Sequence, residues 1–372
     1  MKNHISAIII GISIVSAALL IIWRMPKSDS AIIRERVEGS KFSFKGSDTN
    51  EAKDYFEMAK RYHKAAMDGD IDAQYSLGSC YYMGYGVETD LGEAIKWFQK
   101  AAERGQALAQ LMMGQCYAEG DGVSMDSGEA AKWYLRAAKQ GLKEAQYVIG
   151  QYYARGEGVA KDRVEAAKWY CKAAEQGYRD AQFALGLCYA IGDGVIKNSG
   201  EAVKWYRKAA EQGVAEAQHL LSCSYYNGDG VPQDLVEAKK WCREAAIRGN
   251  ANAQYIWGLY YCGYDGVEKD YVVAARWFQK AAEQGHAEAQ YMLGRCYCGG
   301  NGVIKSFTEA MKWYRKAAEQ GHVEAQFQLG AGYSAGEGVE RNAVEAMRWY
   351  RKAAEQGHAE AKKALYRLGE HR

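Results

Sequence analysis

Apolar and small side chains recur at helical spacing in the segment around residue 110. Ala109, Met113 and Tyr117 lie at positions i, i+4 and i+8, which places them on one stripe of a helix. The segment ends at a Gly-Asp-Gly-Val sequence, residues 120–123, where glycine can take the positive φ that ends a helix and turns the chain. The pattern predicts a helix, called helix A here, over residues 107–119.

A second helix, called helix B, is predicted to begin just after this turn. Asp126 and Glu129 have the spacing of an N-cap residue and an N3 carboxylate, whose side chains can bond the free amides of a helix start. Gly141 follows the last apolar position and is a typical helix stop. Between these signals one face carries small and aromatic residues: Ala130, Trp133, Tyr134, Ala137 and Ala138.

This two-helix unit recurs with a period of 36 residues and without insertion or deletion. The helix-ending glycine recurs at Gly69, Gly105, Gly141, Gly177, Gly213, Gly249, Gly285, Gly321 and Gly357. Tryptophan recurs at Trp97, Trp133, Trp169, Trp205, Trp241, Trp277, Trp313 and Trp349. The N-cap and N3 pair is kept in every unit except one, where Asp270 is followed by Val273. Eight full units fill residues 70–357.

The segments at the two ends of the array resemble incomplete units. Residues 51–69 have the pattern of a helix B without its helix A, and residues 358–372 begin a helix A in which Lys362 replaces a recurring glutamine. We interpret them as N-terminal and C-terminal capping helices. Neither helix of a unit can bury its apolar stripe alone, whereas stacked units share a continuous core. The predicted fold is an all-α solenoid of eight helix-turn-helix repeats.

The repeated motif is Ala-x3-Leu-Gly-x2-Tyr, then Gly-x-Gly-Val-x2-Asp, then Ala-x2-Trp-Tyr-x2-Ala-Ala-x2-Gly. It resembles the Sel-1-like repeat family, a relative of the tetratricopeptide repeats. The departures are Tyr264 at a loop glycine, Ser222 at the helix A glycine and Cys242 at the second aromatic position. The resemblance implies a right-handed α/α superhelix that serves as a scaffold for protein–protein contacts, and bacterial members are often exported to the cell envelope.

The chain begins with an apolar segment. Ile5 to Trp23 is a run of 19 residues without a charge, about 28 Å long as a helix and close to the hydrocarbon thickness of a membrane. We interpret residues 1–23 as a transmembrane anchor, with a cleaved signal peptide as the alternative, and residues 24–50 as a polar tether. The positive-inside rule alone would place the large domain in the cytoplasm, whereas the habit of the similar family favours the extracytoplasmic side, which we adopt as the expectation.

Charge excludes one class of partner. The formal net charge is +2, and beyond residue 45 the chain contains 41 basic and 43 acidic residues. A nucleic-acid-binding domain needs a clustered cationic face. We therefore expect no nucleic acid among the partners.

The sequence contains few candidates for chemistry. The Gly-x-Gly-Val turns lack the preceding strand and the third glycine of a phosphate-binding loop. His286, His322 and His358 occupy one repeat position, about one repeat spacing apart, which is too far to share a metal ion, so we expect surface histidines. Most of the nine cysteines are expected to be small buried residues, and only Cys223 and Cys242 are candidates for a bridge. We predict no enzyme, no cofactor, no metal and no small-molecule substrate.

Candidate partner-binding residues lie where repeats differ on a helix A face that we expect to be exposed. Two columns, four residues apart, vary most. By analogy with related solenoids, helix A lines the concave surface. The candidates are Gln115, Glu119, Gln151, Arg155, Leu187, Ile191, Asn227, Leu259 and Arg295.

These observations favour a non-catalytic scaffold, tethered to a membrane, that binds other proteins or peptides on its concave face. Two alternatives stay open. One is a periplasmic module that binds peptidoglycan or its peptides. The other is a β-lactam hydrolase like some secreted cysteine-rich relatives, although no Ser in this chain is followed by Lys three positions later.

Overall fold

We describe the protein from a computed structural model, which describes residues 49–263 and 266–370. The expected anchor, residues 1–23, and nearly all of the expected tether lie outside these ranges. In the described ranges all regular secondary structure is helical, in eighteen helices. None of these helices is long and apolar enough to cross a membrane.

The helices follow one another in pairs. Helix α1 (Thr49–Met67) precedes the first pair, and α18 (Ala359–Glu370) follows the last. The helices in the helix A position are α2 (Ile71–Met83), α4 (Ala107–Glu119), α6 (Lys143–Arg155), α8 (Arg179–Ile191), α10 (Ala215–Asn227), α12 (Ala251–Tyr260), α14 (Ala287–Gly299) and α16 (Val323–Ala335). Those in the helix B position are α3 (Leu91–Glu103), α5 (Ser127–Lys139), α7 (Arg163–Glu175), α9 (Ser199–Glu211), α11 (Leu235–Ile247), α13 (Tyr271–Glu283), α15 (Phe307–Glu319) and α17 (Ala343–Glu355).

The chain divides into two compact units, at residue 212. Unit 1 contains α1 to α9, and unit 2 contains α10 to α18. Within each unit every helix packs against the next one along the chain. The predicted all-α solenoid of helix-turn-helix repeats is confirmed.

The turn between the two helices of a repeat is built as the glycines predict. In α4, Gly120 (φ 80°) donates its N–H to the carbonyl of Cys116 and ends the helix. Gly122 (φ 71°) lies so close to the preceding helix B that a Cβ there would be 2.8 Å from the carbonyl oxygen of Leu91. The second glycine is therefore required by backbone packing between neighbouring repeats.

Only half of the predicted pair at each helix B start forms as expected. Asp126 Oδ1 accepts the backbone N–H of Glu129 at 3.0 Å, as an N-cap does. The Glu129 carboxylate does not reach back to the cap, because the N–H of Asp126 already donates to the carbonyl of Tyr117 at 2.8 Å. Glu129 instead accepts a hydrogen bond from Lys132 at 2.6 Å. The pair is thus an N-cap followed by a surface ion pair.

A glycine in the middle of helix A packs directly against the aromatic ring of helix B. A Cβ on Gly114 would lie 2.6 Å from ring atoms of Tyr134, so no larger residue fits there without a shift. The same contact joins Gly78 to Phe98, Gly150 to Tyr170, Gly186 to Tyr206, Gly258 to Phe278, Gly294 to Tyr314 and Gly330 to Tyr350. This contact sets the close approach of the two helices in a repeat.

The one repeat without this contact has changed both partners. Ser222 stands in place of the glycine and Cys242 in place of the ring, on the neighbouring helices α10 and α11. Both side chains are buried, and Ser222 Oγ donates to the carbonyl of Ala238 at 2.8 Å. The two sequence departures therefore compensate each other: a larger residue on helix A is matched by a smaller one on helix B.

We expect the two positions to be strongly coupled. Cys242→Tyr alone forces a ring against Ser222 and should lower the free energy of unfolding by about 1–3 kcal/mol. In the double variant Ser222→Gly/Cys242→Tyr the ring meets glycine, as in the other repeats, so most of that loss should be recovered. Urea unfolding of the four proteins of this cycle measures the coupling, and purely additive effects would contradict the compensation.

A buried glutamine uses both ends of its amide: one end bonds the preceding repeat, and the other bonds a glutamine of its own repeat. Gln110 Nε2 donates to the carbonyl of Ala102 at 3.0 Å, and Gln110 Oε1 accepts from Gln140 Nε2 at 2.8 Å. Its amide thus joins α4 to the end of α3 and to the residue after α5. The second bond recurs from Gln176 to Gln146, Gln212 to Gln182, Gln284 to Gln254, Gln320 to Gln290 and Gln356 to Gln326. We call these bonds the glutamine ladder.

The first step of the ladder is incomplete. Gln74 Nε2 donates to the carbonyl of Ala66 at 3.2 Å, but Gln74 Oε1 is buried and has no partner among the residues described. Arg104 occupies the position from which a glutamine would donate, and it donates instead to the carbonyl of Gly69. A buried oxygen without a donor carries an uncompensated desolvation cost.

Arg104→Gln should complete the ladder and raise the free energy of unfolding by about 1 kcal/mol. Gln356 shows that a glutamine here can make both contacts, since its Nε2 donates to the Gly321 carbonyl at 3.1 Å and to Gln326 at 2.8 Å. Urea unfolding measures the change. The matched control, Gln140→Arg, should leave Gln110 Oε1 without its donor and be destabilising; a neutral or destabilising Arg104→Gln would contradict the account.

Candidate partner-binding surface

The first of the two variable columns is buried in the middle repeats. Gln115, Gln151, Leu187 and Leu259 are 1%, 3%, 0% and 4% exposed. In α4 every residue from 111 to 116 is buried, in α6 every residue from 144 to 152, and in α8 every residue from 181 to 188. Six consecutive residues cover all directions around a helix, so these helices are enclosed on all sides. The expectation that this column is exposed is wrong for these four residues.

The second column, one turn further along helix A, is more accessible. Glu119 and Asn227 are exposed, and Arg155 and Ile191 are half-buried. Each stands in the last turn of its helix, just before the Gly-x-Gly turn. Arg155 forms an ion pair with Glu157 at 3.7 Å. In unit 1, Glu119, Arg155 and Ile191 occupy the same position in α4, α6 and α8 and offer an acid, a base and an apolar side chain in sequence order.

Arg295, the remaining candidate, is exposed on α14 in unit 2. Its guanidinium lies 5.8 Å from the centre of the Tyr291 ring, and Nη1 is 3.7 Å from Met292 Sδ. The neighbouring Cys296 thiol is buried, and burial raises its pKa to about 11 despite the opposing effect of Arg295. Arg295 thus presents a solvent-facing cation that packs on the Tyr291 ring and the Met292 thioether, and the adjacent thiol is not reactive.

Sequence reasoning missed Trp257 in unit 2. The equivalent positions hold Leu77, Met113, Ile149, Leu185, Leu221, Leu293 and Leu329. Trp257 is half-buried, and its ring meets Tyr260 and Tyr261 edge-on at 5.5 Å and 5.9 Å. Helix α12 ends at Tyr260, three residues earlier than the repeat predicts. A comparison of the residues at this repeat position would have revealed Trp257, because it is the only aromatic residue among them.

Exposed apolar residues stand at the helix starts beside α12. The start of α11 carries Leu235 and Val236, 41% and 77% exposed, and the start of α13 carries Tyr271 and Val272, 42% and 48% exposed. Helices α11 and α13 both pack against α12. We call Trp257 together with these four residues the α12 patch.

The thiols and histidines of the described chain are not arranged for catalysis. All nine cysteines are free, and six of them are buried. Cys223 Sγ lies 3.9 Å from His219 Nε2, but burial raises the pKa of Cys223 to about 12 and lowers that of His219 to about 4. Both groups are neutral at pH 7, so the pair is not a thiolate–imidazolium dyad. The described residues contain no group of three ligands suited to a metal ion.

Two other sequence interpretations can be compared with the structure. The second glycine of the Gly-x-Gly turn faces a backbone carbonyl group of the preceding repeat at Gly122, Gly158, Gly194, Gly302 and Gly338, which agrees with a structural turn. The row of His286, His322 and His358 is not a surface row, because each ring is largely enclosed and caps a helix: the side chains of His286 and His358 are 8% and 11% exposed.

A protein-family model described as Sel1 repeat matches eight consecutive segments: residues 71–106, 107–142, 143–178, 179–214, 215–250, 251–286, 287–322 and 323–358. No curated protein matches the chain.

Two solved structures are similar over most of the chain. A protective antigen of uropathogenic Escherichia coli with an SLR fold is 38% identical, with a TM-score of 0.77, over 82% of this chain and 66% of that one, just under two thirds of its length. A Sel1 repeat protein from Oxalobacter formigenes is 31% identical, with a TM-score of 0.65, over 90% of this chain and 99% of that one.

Proposed function

Because this chain belongs to the Sel1 repeat family, we propose that it is a non-catalytic scaffold that binds other proteins or peptides. Sel1 repeat solenoids are generally protein-interaction modules, and most have no catalytic role. The observation that carries the proposal is that two kinds of position within the repeat differ in how much they vary. Packing positions are nearly constant, whereas the position that ends helix A in seven of the eight repeats differs between repeats: Met83, Glu119, Arg155, Ile191, Asn227, Gly263, Gly299 and Ala335.

In unit 1 the recognition surface is the row of last turns on α4, α6 and α8. Glu119 and Arg155 supply charges that select a partner, and Ile191 supplies apolar area. The buried Gln115, Gln151 and Leu187 support these turns from within. They are therefore positioning residues, and their substitution would test folding rather than recognition.

In unit 2 the proposed contacts are Asn227, Arg295 and the α12 patch. Trp and Arg are the residue types that most often dominate the binding energy of an interface. Buried Leu259 again supports this surface without facing a partner.

The proposed setting is a membrane, with the repeats on the extracytoplasmic side. Support comes from the 19 uncharged residues from Ile5 to Trp23 and from the polar segment that follows. An anchor of this kind would confine a bound partner to the membrane surface and raise its effective concentration there.

The test is photo-crosslinking in cells, with a photoreactive amino acid at Ile191 on helix A or, as the matched control, at Lys139 on helix B. We expect a defined protein adduct from Ile191 and none from Lys139, followed by binding of the purified partner to the full-length chain. Arg155→Glu should weaken that binding by at least about five-fold, whereas Lys139→Glu should not. Equal adducts from both positions, binding of glycan fragments alone, or hydrolysis of a β-lactam would contradict the proposal.

A further inference from the structure

Three helices of unit 2 begin with a histidine that acts as the N-cap. In α14, α16 and α18 the backbone N–H of Ala289, Ala325 and Ala361 donates to Nδ1 of His286, His322 and His358 at 3.2, 3.1 and 3.1 Å. The bond has the same geometry in three successive repeats. It is therefore a built feature of this half of the array.

Each histidine ring also stacks on an aromatic ring of the preceding helix A. The pairs are Tyr255 with His286, Tyr291 with His322 and Phe327 with His358, with ring centres 4.9, 4.5 and 4.5 Å apart and ring planes within 28°. The stack leaves the imidazole little freedom to rotate away from the helix start. The same side chain thus caps one helix and joins it to the helix A before it.

An imidazole nitrogen can accept a hydrogen bond only when it carries no proton. Protonation of Nδ1 would turn a donor toward the N–H of the helix and remove the cap. It would also place a positive charge at the positive end of the helix dipole. The three caps therefore require neutral rings.

The charged groups that face these rings act in the opposite direction. Glu288 Oε2 lies 3.5 Å from His286 Nδ1 and also acts on His322, and Glu324 Oε1 lies 3.3 Å from His358 Nε2 and also acts on His322. Glu360 lies near His358. His219 lies near His286 and is the exception, because a positive charge on one of these two rings disfavours a positive charge on the other. Burial is the larger effect and lowers the pKa of both His286 and His322 below the usual value.

The sign of the pH dependence follows from this lowering. Above the ordinary histidine value of about 6.5 both the folded and the unfolded chain hold neutral rings, and the caps contribute fully. As the pH falls below that value the unfolded chain takes up protons first, so stability is lost on acidification. Glu288 and Glu324 reduce this loss but do not restore the cap.

The other described helices A have no histidine cap. Three have Leu142, Tyr178 or Val214 at the N-cap position and no side-chain cap, and three are capped by a side-chain oxygen of Asp70, Gln106 or Asn250. Asn250 Oδ1 accepts the N–H of Ala253 at 2.9 Å at the start of α12, and Gln106 Oε1 accepts the N–H of Ala109 at the start of α4. Both residues stand at the repeat position that histidine occupies later in the chain. The acid-sensitive element is therefore confined to the three helices with histidine.

We propose that the histidine caps form an acid-sensitive seam, in which protonation of His286 and His322 uncaps α14 and α16 and loosens the last two repeats, while α12 stays capped. The seam gives the protein a local response to acidification that is independent of the proposed scaffold role. It acts on the joints between repeats and needs no bound ligand.

The test is hydrogen exchange of the full-length chain at pH 7.5 and pH 5, with rates corrected for the intrinsic effect of pH. Peptides from the first turns of α14 and α16 should lose protection by about five-fold or more at pH 5, and those from α12 should not. In the triple variant His286→Asn/His322→Asn/His358→Asn, asparagine should cap these helices as Asn250 caps α12. The loss of protection at pH 5 should therefore disappear. The reverse variant, Asn250→His, should create the same loss of protection at the start of α12.

Circular dichroism at pH 7.5 checks that both variants are folded. If one variant does not fold, the other still tests the proposal, because the triple asparagine variant should remove the acid-induced loss of protection and Asn250→His should create it at α12. An equal loss of protection at α12 in the wild-type chain, or an unchanged loss in the triple asparagine variant, would overturn the proposal.

Discussion

A buried amide has to find hydrogen-bond partners within the protein, and in this chain it finds one in the preceding repeat and one in its own repeat. Each ladder glutamine donates to a helix B that precedes it and accepts from a glutamine that follows the next helix B, as Gln110 does with Ala102 and Gln140. The bond to Gln140 spans 30 positions and recurs at the same separation in each complete step. The period of 36 residues without insertion or deletion keeps these glutamines at equivalent positions along the chain.

The contact of glycine with an aromatic ring works inside the repeat, as the glutamine ladder does, whereas the bond from each ladder glutamine to an alanine carbonyl joins it to the preceding repeat. Together they fix the helices so firmly that variation is pushed to the turns, the caps and the last turn of helix A. The departures in unit 2 follow this rule: Ser222 and Cys242 change together because their side chains meet, whereas Trp257 stands in a helix that ends three residues early. Surface positions therefore vary between repeats while the helix-packing positions stay constant, and this is the physical basis for interpreting the molecule as a binding scaffold.

Much of the fold could be predicted from one sequence because the chain contains eight versions of the same unit. Helix A over residues 107–119, the stop at Gly120 and the N-cap at Asp126 are found as expected. The candidate surface was harder, because periodicity shows which face meets the partner helix but not how fully the surroundings enclose the rest. Gln115 and Leu187 are buried for that reason, and the enclosed histidine caps were missed because stacking on the preceding helix A depends on the distance between repeats.

The most direct measurement of the ladder is a double-mutant cycle on one complete step, Gln146 and Gln176, whose side chains meet at 2.8 Å. Gln146→Ala, Gln176→Ala and the double variant would be compared with the wild-type chain by urea unfolding. The account predicts a coupling free energy of about 0.5–1.5 kcal/mol, because removing either partner already removes the bond. Additive single effects, with no coupling, would contradict the claim that the paired amides hold helix A to the end of helix B in each repeat.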